Sequence, residues 1–262
     1  MRHKVVTIVL SLFWTAWLFA DPDAQTIIQR SVASNEADWK AAPEYSYTEE
    51  DHSGKGSRTY EVTMVDGSPY RRLIKVDGEP LSHQDEQKEQ RRFDAATRKR
   101  KSESAASRQE RVAAWVSDRQ RDHILMEQLS KAFDFTLTGQ QEMGSHDVFV
   151  LRATPRPGYA PPNREARVLL GMEGELWVDT QAFQWVKVTA KVIHPVSIAG
   201  FLARVEPGTD FELEKAPVAP GIWLPTHFAV ESRSRILDII GHRTREDQTY
   251  SGYHRSTPNQ GK

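Results

Sequence analysis

The chain has 262 residues, of which 38% are hydrophobic and 27% charged, and this length allows one large domain or two small ones with a sizeable core. Its 35 Lys and Arg and 36 Asp and Glu give a formal net charge of −1, so no overall field attracts nucleic acid or an anionic membrane. The absence of Cys excludes disulfides and the lipidation of a cysteine, so stability must come from packing.

The first 20 residues have the pattern of a secretory signal peptide. A basic start, MRHK, precedes the apolar run VVTIVLSLFWTAWLFA, and the sequence DPD ends that run. We expect cleavage after Ala20 and a periplasmic mature chain. The alternative is a retained membrane anchor, although 16 apolar residues are short for about 30 Å of hydrocarbon.

A helix and an antiparallel hairpin are predicted at the start of the mature chain. Asp23 is a suitable cap for a helix with Ile27, Ile28 and Val32 at helical spacing, and Pro43 ends it. Two runs with alternating apolar residues then flank the turn sequence DGSP, which is typical of a hairpin over about 59–76.

A charged segment at about 83–132 is predicted to be a helical insertion of two helices, 83–103 and 107–132. Ser82 and Asp85 resemble a capping box before the first helix. The run RKRK within that helix has two interpretations, an anion or membrane contact or a solvated helix end. The acidic residues around it favour the solvated end. The insertion is also a possible contact for an envelope protein partner.

From residue 133 onward the pattern is one short strand after another, which favours an antiparallel meander over a parallel sheet. The segment GELWVDTQAFQWVKV predicts a hairpin with Asp179–Phe183 as its connection and with Val186 and Val188 on one face. Whether Trp177 and Trp185 share a face depends on the register, because a slip of one residue reverses every side chain. We therefore expect one α+β domain over 21–255, followed by a disordered tail at 256–262.

No motif for catalysis or metal binding is found. The histidines lack the spacing of metal ligands, and the sequence contains no nucleophile elbow, phosphate-binding loop or dinucleotide fingerprint. Glu173, Glu175 and Asp179 are interpreted as solvent-facing charges of the hairpin. The sequence thus predicts no metal, no cofactor and no enzymatic activity.

Large aromatic residues of the meander are the remaining functional signal. Most of them should belong to the core, yet one layer of helices covers only one face of a sheet well, and a partly covered apolar face would line a groove for an apolar ligand. The candidates for such a groove are Trp177, Phe201, Phe211, Trp223 and Phe228.

Several segments of the chain resemble one family. In the meander they are GELWVD, FLARVEPGTDFELE, GIWLPTHFAVESRSR and QTYSGY, and earlier in the chain RSVASNEADWKAAPEYSYTEED, FDFTLTG and RATPRPGYAPPNRE. The meander segments are similar to the periplasmic outer-membrane lipoprotein-sorting proteins, the LolA-like group, and the earlier segments resemble an uncharacterised bacterial branch of it. Along the chain, all of them occur in the order found in the family. The ordered set, which touches most of the mature chain, carries the resemblance rather than any single motif.

The resemblance implies an unclosed β-barrel, a strongly curved antiparallel sheet with helices across its concave face. In that family the space between sheet and helices holds the acyl chains of lipoproteins. The segment 83–131 departs from the compact carriers, because it is longer and more polar than their lid helices.

Three hypotheses follow from the sequence. The first is a periplasmic, non-enzymatic carrier or chaperone that binds lipid or acylated protein in the apolar groove. The second is a structural or protein-interaction module with a filled core and no ligand. The third, a hydrolase of lipid-like substrates, requires a nucleophile and a base that the sequence does not display.

Overall fold

The computed structural model describes residues 22–197, 203–236 and 240–256. The predicted signal peptide, residues 257–262 of the predicted tail, and the groove candidate Phe201 lie outside these ranges. The predicted domain limits therefore stay predictions.

Helix α1, Ala24–Ala41, begins where the sequence predicts. Its cap is Asp23, whose carboxylate accepts a hydrogen bond of 2.7 Å from the amide of Thr26. A 3-10 turn, Ala42–Glu44, follows and contains the proline that was expected to end the helix. The chain then enters the sheet directly.

Within the described ranges, one sheet of thirteen strands forms the centre of the fold, and every pairing in it is antiparallel. The strands are β1 Tyr45–Asp51, β2 Arg58–Val65, β3 Ser68–Val76, β4 Glu79–Pro80, β5 Phe133–Met143, β6 His146–Pro155, β7 Met172–Asp179, β8 Trp185–Val192, β9 Val196–Ser197, β10 Ala203–Val205, β11 Asp210–Ala219, β12 Ile222–Ile236 and β13 Ile240–Arg255. A second 3-10 segment, Glu165–Gly171, leads into β7.

The strand order is β4-β3-β2-β1-β13-β12-β11-β8-β7-β6-β5, with β9 and β10 attached beside β12. The last strand pairs with the first, whereas β4 and β5 form the two ends of the order and do not pair with each other. The sheet is therefore an unclosed antiparallel barrel with helices, and the predicted α+β fold class is confirmed.

Helix α1 lies across one face of this sheet, because it contacts both β12 and β5. Five strand spacings of about 4.8 Å separate those two strands, which is roughly 24 Å. A helix of 18 residues is about 27 Å long, so α1 reaches from one strand to the other. Its residues Ile27 and Ile28 are buried against Leu151, Leu176 and Leu213 of the sheet. This helix-covered side is called the inner face below, and the other side the outer face.

Two long helices follow β4, as predicted: α2, His83–Ser102, and α3, Ala105–Ala132. Ser82 caps α2 by accepting a hydrogen bond from the Asp85 amide at 3.2 Å, so the expected cap is present. Helix α3 contacts β3 near one end of the strand order and β5 at the other end. Its 28 residues are about 42 Å long, which lets it bridge the open side of the barrel.

The RKRK run has a structural role at one of its four residues. The half-buried guanidinium of Arg100 donates to the carbonyls of Val65, Ser68 and Pro69 at 3.0, 2.9 and 3.1 Å. These carbonyls flank the two-residue turn between β2 and β3, where Asp66 and Gly67 have φ of 48° and 91°. The other three residues of the run face solvent, in line with the solvated helix end, while Arg100 attaches α2 to the sheet.

A buried charged network attaches α1 to the sheet. The ammonium of Lys215 on β11 donates to Asp38 at 2.5 Å and to the side-chain oxygen of Asn35 at 2.7 Å. Asp38 also accepts from the backbone amide of Trp223 at 2.9 Å and from the side chain of Gln184 at 3.2 Å. Burial lowers the pKa of Lys215, and the nearby Asp38 carboxylate opposes that shift.

Removal of Asp38 should therefore be the most damaging single change in this network. We expect Asp38→Ala to lower the free energy of unfolding by roughly 3–5 kcal/mol, because it leaves a buried lysine without its counter-charge. Lys215→Met should cost less, since Asp38 keeps two N–H donors. Urea denaturation followed by circular dichroism measures both, with the exposed Lys191→Met as the matched control. If Asp38→Ala lowered the free energy of unfolding no more than that control does, the role assigned to Asp38 in the buried network would be contradicted.

Replacement of Arg100 should loosen the attachment of α2. We expect Arg100→Ala to cost about 1–3 kcal/mol of local stability, because three carbonyls lose a charged donor. Hydrogen exchange should become faster in α2 and in the β2–β3 turn, while Lys99→Ala, an exposed neighbour, leaves it unchanged. Equal exchange rates in the two variants would show that Arg100 is as dispensable as its neighbours.

Candidate functional site

The two tryptophans of the β7–β8 hairpin lie on opposite faces of the sheet. Trp177 pairs with Lys187, but Val178 pairs with Trp185, so a β-bulge places one extra residue in β8. Trp185 is buried in the core beneath α1, whereas Trp177 packs with Val186 on the outer face. The bulge also separates Val186 from Val188, which packs against the inner core, so the prediction that these two valines share a face is wrong.

Trp223 joins Trp177 on the outer face, in a cluster completed by Val148 and Val186. Its ring lies 4.7 Å from that of His146, whose Nδ1 is 3.0 Å from a carboxylate oxygen of Asp179. These two tryptophans are thus placed away from the space between sheet and helices. Their aromatic surface is used in packing on the outer face.

Phe211 and Phe228 are the two candidates that the structure brings together on the inner face. Their rings are 5.5 Å apart in an edge-to-face arrangement at the border of the inner core. Both side chains are half-buried, although they point to the helix-covered side. The pair therefore keeps apolar surface that the core does not fully cover.

A row of tyrosines continues this surface across β13 and β1. Phe228 pairs with Gln248, and Tyr250, two residues further along the same face, pairs with Glu49. The ring of Tyr47 lies 5.8 Å from that of Tyr250 and 5.3 Å from that of Tyr253. We define Phe211, Phe228, Tyr250, Tyr253 and Tyr47 as the inner aromatic row. All five side chains are half-buried.

The hydroxyls of two of the three tyrosines in the row are held by hydrogen bonds. Tyr250 donates to the side chain of Gln248 at 2.6 Å, and Tyr253 donates to the backbone carbonyl of Pro225 at 2.7 Å. Burial raises the pKa of Tyr47 to about 12 and also raises the pKa of Tyr250 and of Tyr253. At neutral pH all three phenols are uncharged, so the row is an aromatic surface with a few fixed polar groups.

One ion pair marks the polar end of the row. The buried carboxylate of Glu49 pairs with the guanidinium of Arg71, which also lies over the ring of Tyr60 at 4.1 Å from its centroid. Burial raises the pKa of Glu49, and Arg71 opposes the shift. The Arg71 side chain is 45% exposed, so the cation remains accessible at this end.

The tyrosines and this ion pair are not among the residues that the sequence predicted. The alternation of Tyr45, Tyr47 and Glu49 was a usable signal, but the partner strand is more than 190 residues away in the chain. Chemically, the row combines apolar faces with one charged end, which suits an amphiphilic molecule. The high pKa values of its phenols make them poor nucleophiles and poor bases at neutral pH.

A hollow of about 770 Å³ spans β6, β7, β8, β11, β12 and β13. Most of its lining side chains belong to the outer face and many are charged, among them Glu173, Lys191 and Glu231. Lys191 pairs with Glu173 at 3.0 Å and Glu231 pairs with Arg243 on this surface. This hollow is largely polar, although the groove candidate Phe211 also contributes to its lining.

No helix within the described ranges combines the length and the apolar character needed to cross a membrane.

No protein-family model and no curated protein matches the chain. Among solved structures, a domain described as an outer membrane lipoprotein-sorting protein from Vibrio parahaemolyticus aligns at 10% identity over 88% of this chain and 94% of its own, with a TM-score of 0.33. A LolA superfamily protein from Nitrosomonas europaea aligns at 11% identity over 91% and 96%, also with a TM-score of 0.33. A DUF1329 family protein from Desulfovibrio piger aligns at 12% identity over 90% and 94%, with a TM-score of 0.30.

Structure comparison thus returns the group that the sequence segments resemble. At these identities and TM-scores the likeness carries no argument about this chain. Functional inference therefore depends on the residues of this chain.

The raised pKa of Glu49 predicts a specific pH dependence. A carboxyl whose pKa is higher in the folded than in the unfolded state stabilises the fold at low pH, and this contribution is lost as pH rises through the folded pKa. We expect the stability of Glu49→Gln, relative to the unaltered protein, to increase between about pH 4.5 and pH 7. Urea unfolding at several pH values measures that difference.

The matched control is Glu61→Gln on the neighbouring strand, which also removes a carboxylate from an arginine pair, Arg72–Glu61. Its carboxylate is 42% exposed, so removal of this pair should cost little stability. A constant difference for Glu49→Gln across this range would contradict the burial assigned to Glu49.

Proposed function

We propose that the protein is a periplasmic, non-enzymatic carrier that binds acyl chains of lipids or lipoproteins along the inner aromatic row. The observation that supports this most directly is that five aromatic side chains face the helix-covered side of the barrel yet stay half-buried. In a fully packed core such side chains would be buried from solvent. The predicted signal peptide supports the compartment.

Burial of methylene groups is the driving force of the proposed binding. Each methylene removed from water contributes about 0.8 kcal/mol, so a long acyl chain gains more than it loses in conformational freedom. Phe211 and Phe228 would contact the apolar part of the ligand. The tyrosine hydroxyls and Arg71 would lie near its polar end, where an anionic group could pair with the exposed guanidinium.

Helix α3 gives the proposed groove its cover. It contacts strands near both ends of the strand order, and α1 occupies the space over β5 to β12. The strands that carry the tyrosines, β1 and β13, lie between these two contacts of α3 in the strand order. An acyl chain on the aromatic row would therefore be enclosed by the sheet and by α3.

A second function, docking to an envelope protein, is favoured by one feature of α2. None of its 20 residues is buried, and Arg98, Lys99 and Lys101 project into solvent. In this alternative the core has no ligand and α2 is the contact surface. In this alternative the molecule that binds is an envelope protein and not a lipid.

Acyl binding should depend on the inner aromatic row and not on the outer tryptophans. We expect the purified protein to bind a fluorescent long-chain fatty acid saturably, and lipid to co-purify with it in mass spectrometry. Phe228→Ala should weaken binding roughly tenfold or more, because it removes an aromatic contact worth about 1.5–3 kcal/mol. Trp177→Ala, on the outer face, should leave the affinity unchanged.

Circular dichroism spectra of both variants establish that each is folded. Equal loss of affinity in the two variants would argue against the inner row as the binding surface. Absence of both co-purified lipid and saturable binding would overturn the carrier proposal. If a protein is then cross-linked through Lys99 or Lys101, the docking function takes its place.

A further inference from the structure

A histidine and two carboxylates meet between α1 and α3. His123 and Glu127 lie one helical turn apart on α3, and Glu36 faces them from α1. The Nε2 atom of His123 lies 2.6 Å from a carboxylate oxygen of Glu36 and 3.5 Å from one of Glu127. All three potential ligand atoms lie within 4.8 Å of one another.

The imidazole of His123 is buried and oriented, but its nitrogens lack hydrogen bonds. Its side chain is 5% exposed, and neither ring nitrogen has a hydrogen-bond partner among the described residues. The close approach of Nε2 to Glu36 thus lacks the geometry of a hydrogen bond. The ring stacks on Trp39 with centroids 4.2 Å apart and planes at 17°. A buried imidazole nitrogen that makes no hydrogen bond and lies close to two carboxylates can act with them as a ligand of a cation.

We propose that Glu36, His123 and Glu127 bind a divalent transition metal, with Zn²⁺ as the cation that fits best. Zinc is bound in proteins by imidazole nitrogen and carboxylate oxygen at about 2.0–2.2 Å, commonly with three protein ligands and one water. Tetrahedral geometry at such bond lengths places ligand atoms roughly 3.3 Å apart. The separations of 2.6 and 3.5 Å from His123 Nε2 to the two carboxylates lie on either side of that value, and all three atoms lie within 4.8 Å, so side-chain rotations would complete the site.

The surroundings of the site are compatible with a metal. Trp39 fixes the ring plane of His123, and Arg119 holds Trp39 in turn by donating to its backbone carbonyl and lying over its ring at 4.5 Å. Lys40 competes for Glu36 at 2.9 Å, but its side chain is 66% exposed and such surface pairs contribute little. The carboxylate of Glu127 is 49% exposed, which leaves a path for the ion and for a water ligand.

A metal at this position would connect α3, which bridges the open side of the barrel, to α1, which is packed on the sheet. The proposed site does not involve the inner aromatic row. It therefore does not depend on the acyl-carrier proposal, and each can fail without the other.

The test is isothermal titration calorimetry of the chelator-treated protein with ZnCl₂, together with thermal unfolding with and without Zn²⁺. We expect one equivalent of Zn²⁺ to bind and to raise the unfolding temperature by several degrees. Glu127→Gln keeps the shape of the side chain and should lower the affinity for Zn²⁺ at least tenfold and abolish the thermal shift. Glu110→Gln, an exposed residue of the same helix, should preserve both.

Three results would overturn the proposal. The absence of 1:1 binding would mean that His123 is simply ion-paired with the two glutamates. Equal binding by the protein and by Glu127→Gln would place the metal on other residues. Binding of Mg²⁺ or Ca²⁺ as strong as that of Zn²⁺ would show an acidic surface without the nitrogen ligand. Because the side chain of Glu127 is half-exposed, the Glu127→Gln variant should still fold. It therefore tests the site even if substitutions of the buried His123 prevent folding.

Discussion

The attachment of α1 to the sheet depends on one buried carboxylate. Asp38 receives an ammonium, a side-chain amide and a backbone amide, so its charge is balanced although only 2% of its surface is exposed. Since these donors come from β11, the β7–β8 connection and β12, a single residue of α1 fixes the position of the helix over three parts of the sheet. The apolar contacts of Ile27 and Ile28 contribute most of the buried area, but contacts of that kind are non-directional. The charged network supplies the orientation.

With α1 in place, the β-bulge in β8 determines which side chains lie on each face of the sheet. It turns Trp185 into the core and leaves Trp177 outside, so the two faces differ in chemistry. The outer face combines a tryptophan cluster with ion pairs such as that of Lys187 with Glu212 and Glu214. The inner face keeps the half-buried aromatic row. A carrier function is therefore compatible with only one side of the sheet, and the tryptophans that first draw attention in the sequence are on the other.

The parts of the fold that sequence analysis predicted are those set by neighbouring residues. Asp23 and Ser82 cap helices through contacts three residues away, and the turn at Asp66 and Gly67 depends on two residues that tolerate positive φ. The faces of Trp177 and Trp185 could not be predicted, because a bulge is decided by the fit of several strands. The pairing of Glu36 with His123 escaped for a similar reason, since it joins two helices 87 positions apart and only the spacing of His123 and Glu127 is local.

Helix α3 is held differently along its length, and this difference has a consequence for access to the inner row. Its C-terminal half contributes Met126 and Leu129 to the inner core, so moving that half would expose apolar surface. Its N-terminal half is attached by polar contacts, chiefly Arg111, which donates to Ser68 at 2.7 Å and to the carbonyl of Asp66. Polar contacts that open to water are replaced by hydrogen bonds to water, whereas lost apolar burial is not replaced. If the barrel opens to admit a ligand, we expect it to open at the β3 side, where α2 and the start of α3 contact the turn through these polar groups. A ligand of the aromatic row would reach it from the end that carries Tyr47 and Arg71, and its polar group would remain nearest to solvent.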